Sequence, residues 1–216
     1  MPDFTEIVFI LDRSGSMAGL EADTVGGFNS LIAKQKKEDG QALVSTVLFN
    51  EKSKALYDRV DLNKIQNMTE DDYCVCGCTA LLDAIADAIH HIGNVHKYAR
   101  EEDRPSKTLF IITTDGMENS STRYTYEKVQ SMIERQKNRF GWEFIFLGAN
   151  IDAVSEARRF GIDESCAANY HADSVGTTLN YEVLSEAICH VRSNKNTRLA
   201  ATTWKEKIDN DYASRK

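Results

Sequence analysis

The chain is 216 residues long and carries 33 Asp and Glu against 26 Lys and Arg, a formal charge of -7, with a hydrophobic fraction of 42%. That length suits one domain with a real core, and a content of only 12 Gly and 2 Pro excludes a disordered or linker-rich chain. The acidic balance argues against nucleic-acid partners, and no apolar run approaches the roughly 18 residues of a membrane span. Taken in chain order, Ile7–Leu11 is a compact apolar run that predicts a buried strand. From Leu20 to Lys37, Val25, Phe28, Leu31 and Ile32 share one helical face, and Gly40 follows as a stop. Gly26 and Gly27 weaken that helix and point to close packing. Ala42–Phe49 and Ala55–Val60 predict two strands, joined by a link too short for a parallel crossover, hence a hairpin. Thr79 is expected to open and cap a helix whose apolar face is Leu82, Ile85, Ala86, Ile89 and Ile92. Thr108–Thr113 predicts a strand, Tyr126–Arg139 a helix, Trp142–Leu147 a strand and Asp152–Phe160 a short helix. Cys166–Tyr170 predicts a last strand and Thr178–Arg192 a last helix. Residues 1–195 are expected to form one domain, and 196–216 a polar tail or a frayed helix.

Alternation of strands and helices predicts an α/β sandwich of three layers around a mostly parallel sheet. Such sheets carry their functional loops beyond the carboxyl ends of the strands, where the strand order reverses. The first such loop is Asp12-Arg13-Ser14-Gly15-Ser16, which can aim a carboxylate and two hydroxyls at one point. Oxygen donors of this kind suit a hard divalent cation. A plain turn capped by Ser and Asp explains the same residues when the loop is taken alone. Another loop, Thr113-Thr114-Asp115-Gly116, also follows a strand directly, and between the two lies Thr79.

The set Asp12-x-Ser14-x-Ser16, then Thr79 before an amphipathic helix, then Thr114-Asp115-Gly116 after a strand resembles a von Willebrand factor A domain over residues 4 to 192. It looks like the short, stand-alone bacterial members of that family. The resemblance implies a Rossmann-like sheet of six strands in the order 3-2-1-4-5-6, with strand 3 as one antiparallel edge. It also implies that Asp12, Ser14, Ser16, Thr79 and Asp115 form a metal-ion-dependent adhesion site. The expected ion is Mg²⁺, with Mn²⁺ or Ca²⁺ as alternatives. The expected partner is a protein with an exposed Asp or Glu, whose carboxylate replaces a metal-bound water. The N-terminus of the helix after Thr79 is expected to favour that anion further.

A metal-dependent hydrolase or phosphatase-like enzyme using the same loops is the alternative. Against it, the Asp-x-Asp of aspartate-based phosphatases is broken here by Ser14. No Gly-x-Ser-x-Gly or phosphate-binding Gly-x-x-x-x-Gly-Lys is present, and the five histidines have no telling spacing. Cys74, Cys76 and Cys78 alternate before Thr79 without matching a zinc or redox motif, so they are expected to pack on one face. Glu118, Arg13 and Arg123 are expected as solvated loop charges, with Tyr124 and Tyr126 as either partner contacts or helix-start residues. Five cysteines and an N-terminus without a basic region suggest a reducing compartment, with cytoplasm the expected location.

Overall fold

A computed structural model describes residues 4–193, Leu199 and 203–215. Its strands are β1 (Phe4–Asp12), β2 (Gln41–Phe49), β3 (Ser53–Asp61), β4 (Lys107–Thr114), β5 (Glu143–Ala149) and β6 (Ala167–Tyr170). They form one sheet in the order β3-β2-β1-β4-β5-β6, parallel except for the antiparallel β2–β3 pair. The fold class, strand order and antiparallel edge are those expected.

The helices are α1 (Glu21–Gln35), α2 (Leu81–Tyr98), α3 (Tyr126–Phe140), α4 (Ala153–Arg159), α5 (Ser174–Ser193) and α6 (Glu206–Ser214). Side chains alternate across a strand, and β1 uses both sets. Ile7, Phe9 and Leu11 pack under α1 and α5, whereas Val8 and Ile10 pack under α2, α3 and α4. A strand buried on both faces needs a continuous apolar run, which is why β1 and β4 read so clearly. Among the described residues, no helix is long and apolar enough to cross a membrane.

The two glycines of α1 differ. A Cβ on Gly27 would lie 2.2 Å from Cδ2 of Tyr181 on α5, whereas one on Gly26 would meet nothing within 4 Å. Only Gly27 marks the close helix contact. Gly27→Ala is expected to cost about 1–3 kcal/mol through overpacking. Gly26→Ala is expected to leave stability unchanged or raise it by up to about 1 kcal/mol through helix propensity. Urea unfolding of the two variants checks this, and equal midpoints would refute the packing argument.

Two helix starts depart from expectation. α5 begins at Ser174 instead of Thr178, because Asp173 accepts from the backbone N–H of Gly176. α2 begins at Leu81, and its flanking Ala80 supplies no side-chain cap. Of the stretch 196–216, Glu206–Ser214 forms α6, packed against α5 and β6 with Ile208 buried. Trp204 Nε1 donates to the Ser165 carbonyl, Lys205 Nζ to that of Ala167, and Arg215 pairs with Asp173 and Asp211. This segment shields the edge strand β6. The expected boundary at residue 195 falls outside the described residues.

One buried charge lies far from the loops. Glu6 on β1 has no exposed surface and meets Arg59 through Nε (2.7 Å) and Nη2 (3.1 Å), and His96 Nε2 at 2.7 Å. Arg59 reaches it from β3 across β2. A bulge opposite Ser45 places Arg59 at φ 50°, and its N–H donates to Ser45 Oγ.

Candidate metal centre

β1 has β2 on one side and β4 on the other, so the strand order reverses at its carboxyl end. Leu11 pairs with Thr113, which sets Asp12 beside Thr114. The Thr114 hydroxyl donates to Asp12 Oδ2 at 2.6 Å, and the Ser14 N–H donates to Oδ1 at 2.7 Å. The Ser14 and Ser16 hydroxyls are 3.0 Å apart. The Ser16 hydroxyl lies close enough to the Asp115 carboxylate to hold its pKa down against desolvation. A Cβ on Gly116 would lie 3.3 Å from Ser16 Oγ and 3.7 Å from Thr79 Oγ1. All three loops therefore close on one point, and the five expected residues stand together there. Gly116 keeps that point open because it has no side chain.

Asp12, Ser14, Thr79 and Asp115 are buried, while Ser16 is exposed. Desolvation raises the pKa of Asp12 against the hydrogen bonds of Thr114 and Ser14. Desolvation also raises that of Asp115, helped by the nearby Asp12 charge. Asp115 Oδ1 is buried and has no hydrogen-bond partner. Two buried carboxylates that repel each other, one with an orphaned oxygen, beside three hydroxyls make a site that favours a cation. The donor set is all oxygen, which fits a hard divalent ion such as Mg²⁺, Mn²⁺ or Ca²⁺. Ser14, Ser16 and Thr79 would supply hydroxyls, and Asp12 and Asp115 charge.

Several neighbours take roles that the sequence did not announce. Thr79 does not cap α2. Instead its N–H donates to Asn119 Oδ1, and its carbonyl accepts from the N–H groups of Asn119 and Ser120. Glu118 is not a solvated charge. Its carboxylate accepts from the N–H groups of Leu82, Ser120 and Ser121 and from the Ser121 hydroxyl. In return, Asp83 of α2 accepts from the N–H groups of Thr122, Arg123 and Tyr124. Thr79 and Asp115 are thus locked to one another by reciprocal caps between loop and helix. The lock also corrects an expectation, because Glu118 and Ser121 already occupy N–H groups at the start of α2. That helix end is less available to an incoming anion.

Arg123 is exposed but ion-paired, bidentate to Asp87 and in contact with Asp83. Tyr124 and Tyr126 pack against the α2–α3–α4 core, and Tyr126 donates to Glu156 at 2.5 Å. Both fit the helix-start reading better than the partner-contact one. The three thiols do not pack together: Cys74, Cys76 and Cys78 are all exposed. Gly77 turns the chain at φ 76°, so this segment is no strand and alternation loses its meaning. Its backbone braces the first loop, since Cys76 N–H donates to the Arg13 carbonyl and Gly15 N–H to that of Gly77. Tyr73 does the same from below, its hydroxyl donating to the Asp12 carbonyl.

No protein-family model matches the chain, and no curated protein matches it in sequence. Solved structures do match. A von Willebrand factor type A protein from Catenulispora acidiphila aligns with a TM-score of 0.60 at 15% identity, over 85% of this chain and 42% of that one. Proximal thread matrix protein 1 of the mussel byssus, with a zinc-occupied MIDAS motif, aligns with 0.59 at 15% identity, over 87% and 46%. The vWF domain of the type V pili tip protein Mfa5 from Porphyromonas gingivalis aligns with 0.64 at 10% identity, over 92% and 99%. The chain spans less than half of the first two proteins and nearly all of the Mfa5 domain.

Proposed function

We propose that this chain, which has the von Willebrand factor A fold, is a divalent-metal-dependent protein-binding module. The observation that carries the reading is the convergence of three hydroxyls and two repelling carboxylates, with Asp115 Oδ1 buried and unpartnered. Asp12, Ser14, Ser16, Thr79 and Asp115 hold the ion, and Mg²⁺ is the one we favour. When bound, it supplies a positive centre with exchangeable water that an Asp or Glu carboxylate of a partner protein can replace. The ion thereby lets an acidic chain take an acidic group. Thr114 orients Asp12, and the Glu118–Asn119 lock holds Thr79 in register. Met117, 62% exposed beside Gly116, offers an apolar contact at the rim.

Against the hydrolase alternative, no hydrogen bond joins a histidine to Ser14 or Ser16 among the described residues. His90, His91, His96 and His171 are engaged by Tyr124, Asp58, Glu6 and the Tyr212 carbonyl. The test is co-purification of partners in Mg²⁺ and in EDTA. Capture is expected in Mg²⁺ only, and is expected to disappear when the partner's acidic residue becomes Asn or Gln. Capture that survives EDTA would refute the metal-bridged reading.

A further inference from the structure

Two residues other than glycine adopt a positive φ among the described residues, Arg59 and Asn150. Arg59 is turned onto the buried Glu6, and Asn150 is turned onto the metal loops in a comparable way. It follows the last residue of β5 at φ 56°. Its Nδ2 lies 3.4 Å from Asp115 Oδ2, close enough for a hydrogen bond.

The turn that puts it there is tightly built. A Cβ on Gly148 would lie 2.8 Å from both Ala153 Cβ and Ile151 Cδ1, so the chain folds back hard on itself. Ala153 N–H donates to Asn169 Oδ1, and Asp152 accepts from Ser155 N–H, which pins the far side of the turn. Of the residues between these anchors, Asn150 takes the left-handed conformation. Asn tolerates it better than other side chains except glycine. Glycine would satisfy the backbone alone, whereas asparagine also brings an amide donor to the carboxylate.

We propose that Asn150 is a positioning residue of the metal centre, whose amide anchors Asp115 Oδ2 and leaves the unpartnered Oδ1 for the ion. This rests on the metal-binding reading above. Asp115 stands on a loop after β4, and rotation of its carboxylate would move its charge off the point shared with Ser16 and Thr79. The amide opposes that rotation from the neighbouring strand. A donor that orients a ligand carboxylate in this way commonly changes affinity by about tenfold or more when removed.

The experiment compares wild type, Asn150→Gly and Asn150→Ala in two measurements: Mn²⁺ affinity by electron paramagnetic resonance titration, and melting temperature in EDTA. Asn150→Gly keeps the backbone conformation and loses the amide. It is expected to melt near the wild-type temperature in EDTA, yet to bind Mn²⁺ about tenfold more weakly. Asn150→Ala is expected to show the same loss of affinity together with a lower melting temperature, because alanine is strained at this φ. Wild-type Mn²⁺ affinity in Asn150→Gly would overturn the proposal while leaving the metal centre standing. Failure of wild type itself to bind Mn²⁺ would overturn both.

Discussion

In Asp12→Ala, the rise in melting temperature that Mg²⁺ or Mn²⁺ produces in the wild-type protein is expected to vanish. An ion that binds only the native state stabilises it by about 2.7 kcal/mol at a concentration 100 times its Kd. For a chain of this size that is a shift of about 5–10 °C. Asp12 is the hub of the centre: it is buried, both its oxygens are engaged by Ser14 and Thr114, and its charge acts on Asp115. Removing it takes away half of the anionic charge that an ion would neutralise. Scanning calorimetry of both proteins in EDTA and in metal checks this, and an unchanged metal response in the variant would refute the site.

The same variant carries a pH signature. In EDTA the native pKa values of Asp12 and Asp115 lie above the ordinary 3.8. The native state therefore binds protons before the unfolded chain does as pH falls. These two groups add stability that is fully present below 3.8 and is lost as pH rises through their elevated native values. Asp72, Asp152, Asp163 and Asp173 have lowered values and act in the opposite sense. The informative quantity is thus the difference between wild type and Asp12→Ala. In EDTA, acidification from pH 7 is expected to favour wild type in that difference. In metal it is expected to disfavour wild type, because protons compete with the ion for the carboxylates.

Glu6→Ala is the second large effect, and it involves no metal. The Glu6 carboxylate is fully buried and holds Arg59 through two hydrogen bonds and His96 through a third. Breaking a buried pair by removing one partner leaves the other desolvated and uncompensated, at a cost of about 3–5 kcal/mol. The Arg59 side chain is 21% exposed and can recover some water, which favours the lower end. A loss of about 3 kcal/mol lowers the melting temperature by about 6–12 °C. Metal affinity of the folded variant is expected to stay unchanged, since Glu6 lies at the other end of β1 from Asp12. A melting temperature within 2 °C of wild type would show that the cluster contributes only marginally, about 1 kcal/mol or less.

How much of this was legible follows from the distance over which each feature is decided. β1, β4 and β5 are buried on both faces, so their apolar runs announced themselves, and with them the alternation that defines the fold. The five oxygen-bearing residues came through the resemblance, which their order at the ends of strands and helices carries, and the structure brings them close together. Glu118 read as a solvated charge because nothing local distinguishes a loop carboxylate from a cap for a helix 36 residues earlier. The thiols misled for a related reason. Alternation means one face only in a strand, and the turn at Gly77 exists to meet Gly15 in another loop.

The sequence by itself determined the layers, and through its resemblance it offered the strand order and a set of five oxygen-bearing residues. The layers depend on the spacing of apolar runs, which is local, and the resemblance rests on residue types at element ends, which are local too. The tertiary structure alone decided which charges are buried, which loops are locked and which backbone is strained. Arg59 and Glu6 are 53 residues apart, Thr114 and Asp12 are 102 apart, and Asn150 and Asp115 are 35 apart. Such pairings arise only when the sheet closes and neighbouring strands bring their ends together, and no window of sequence contains both partners.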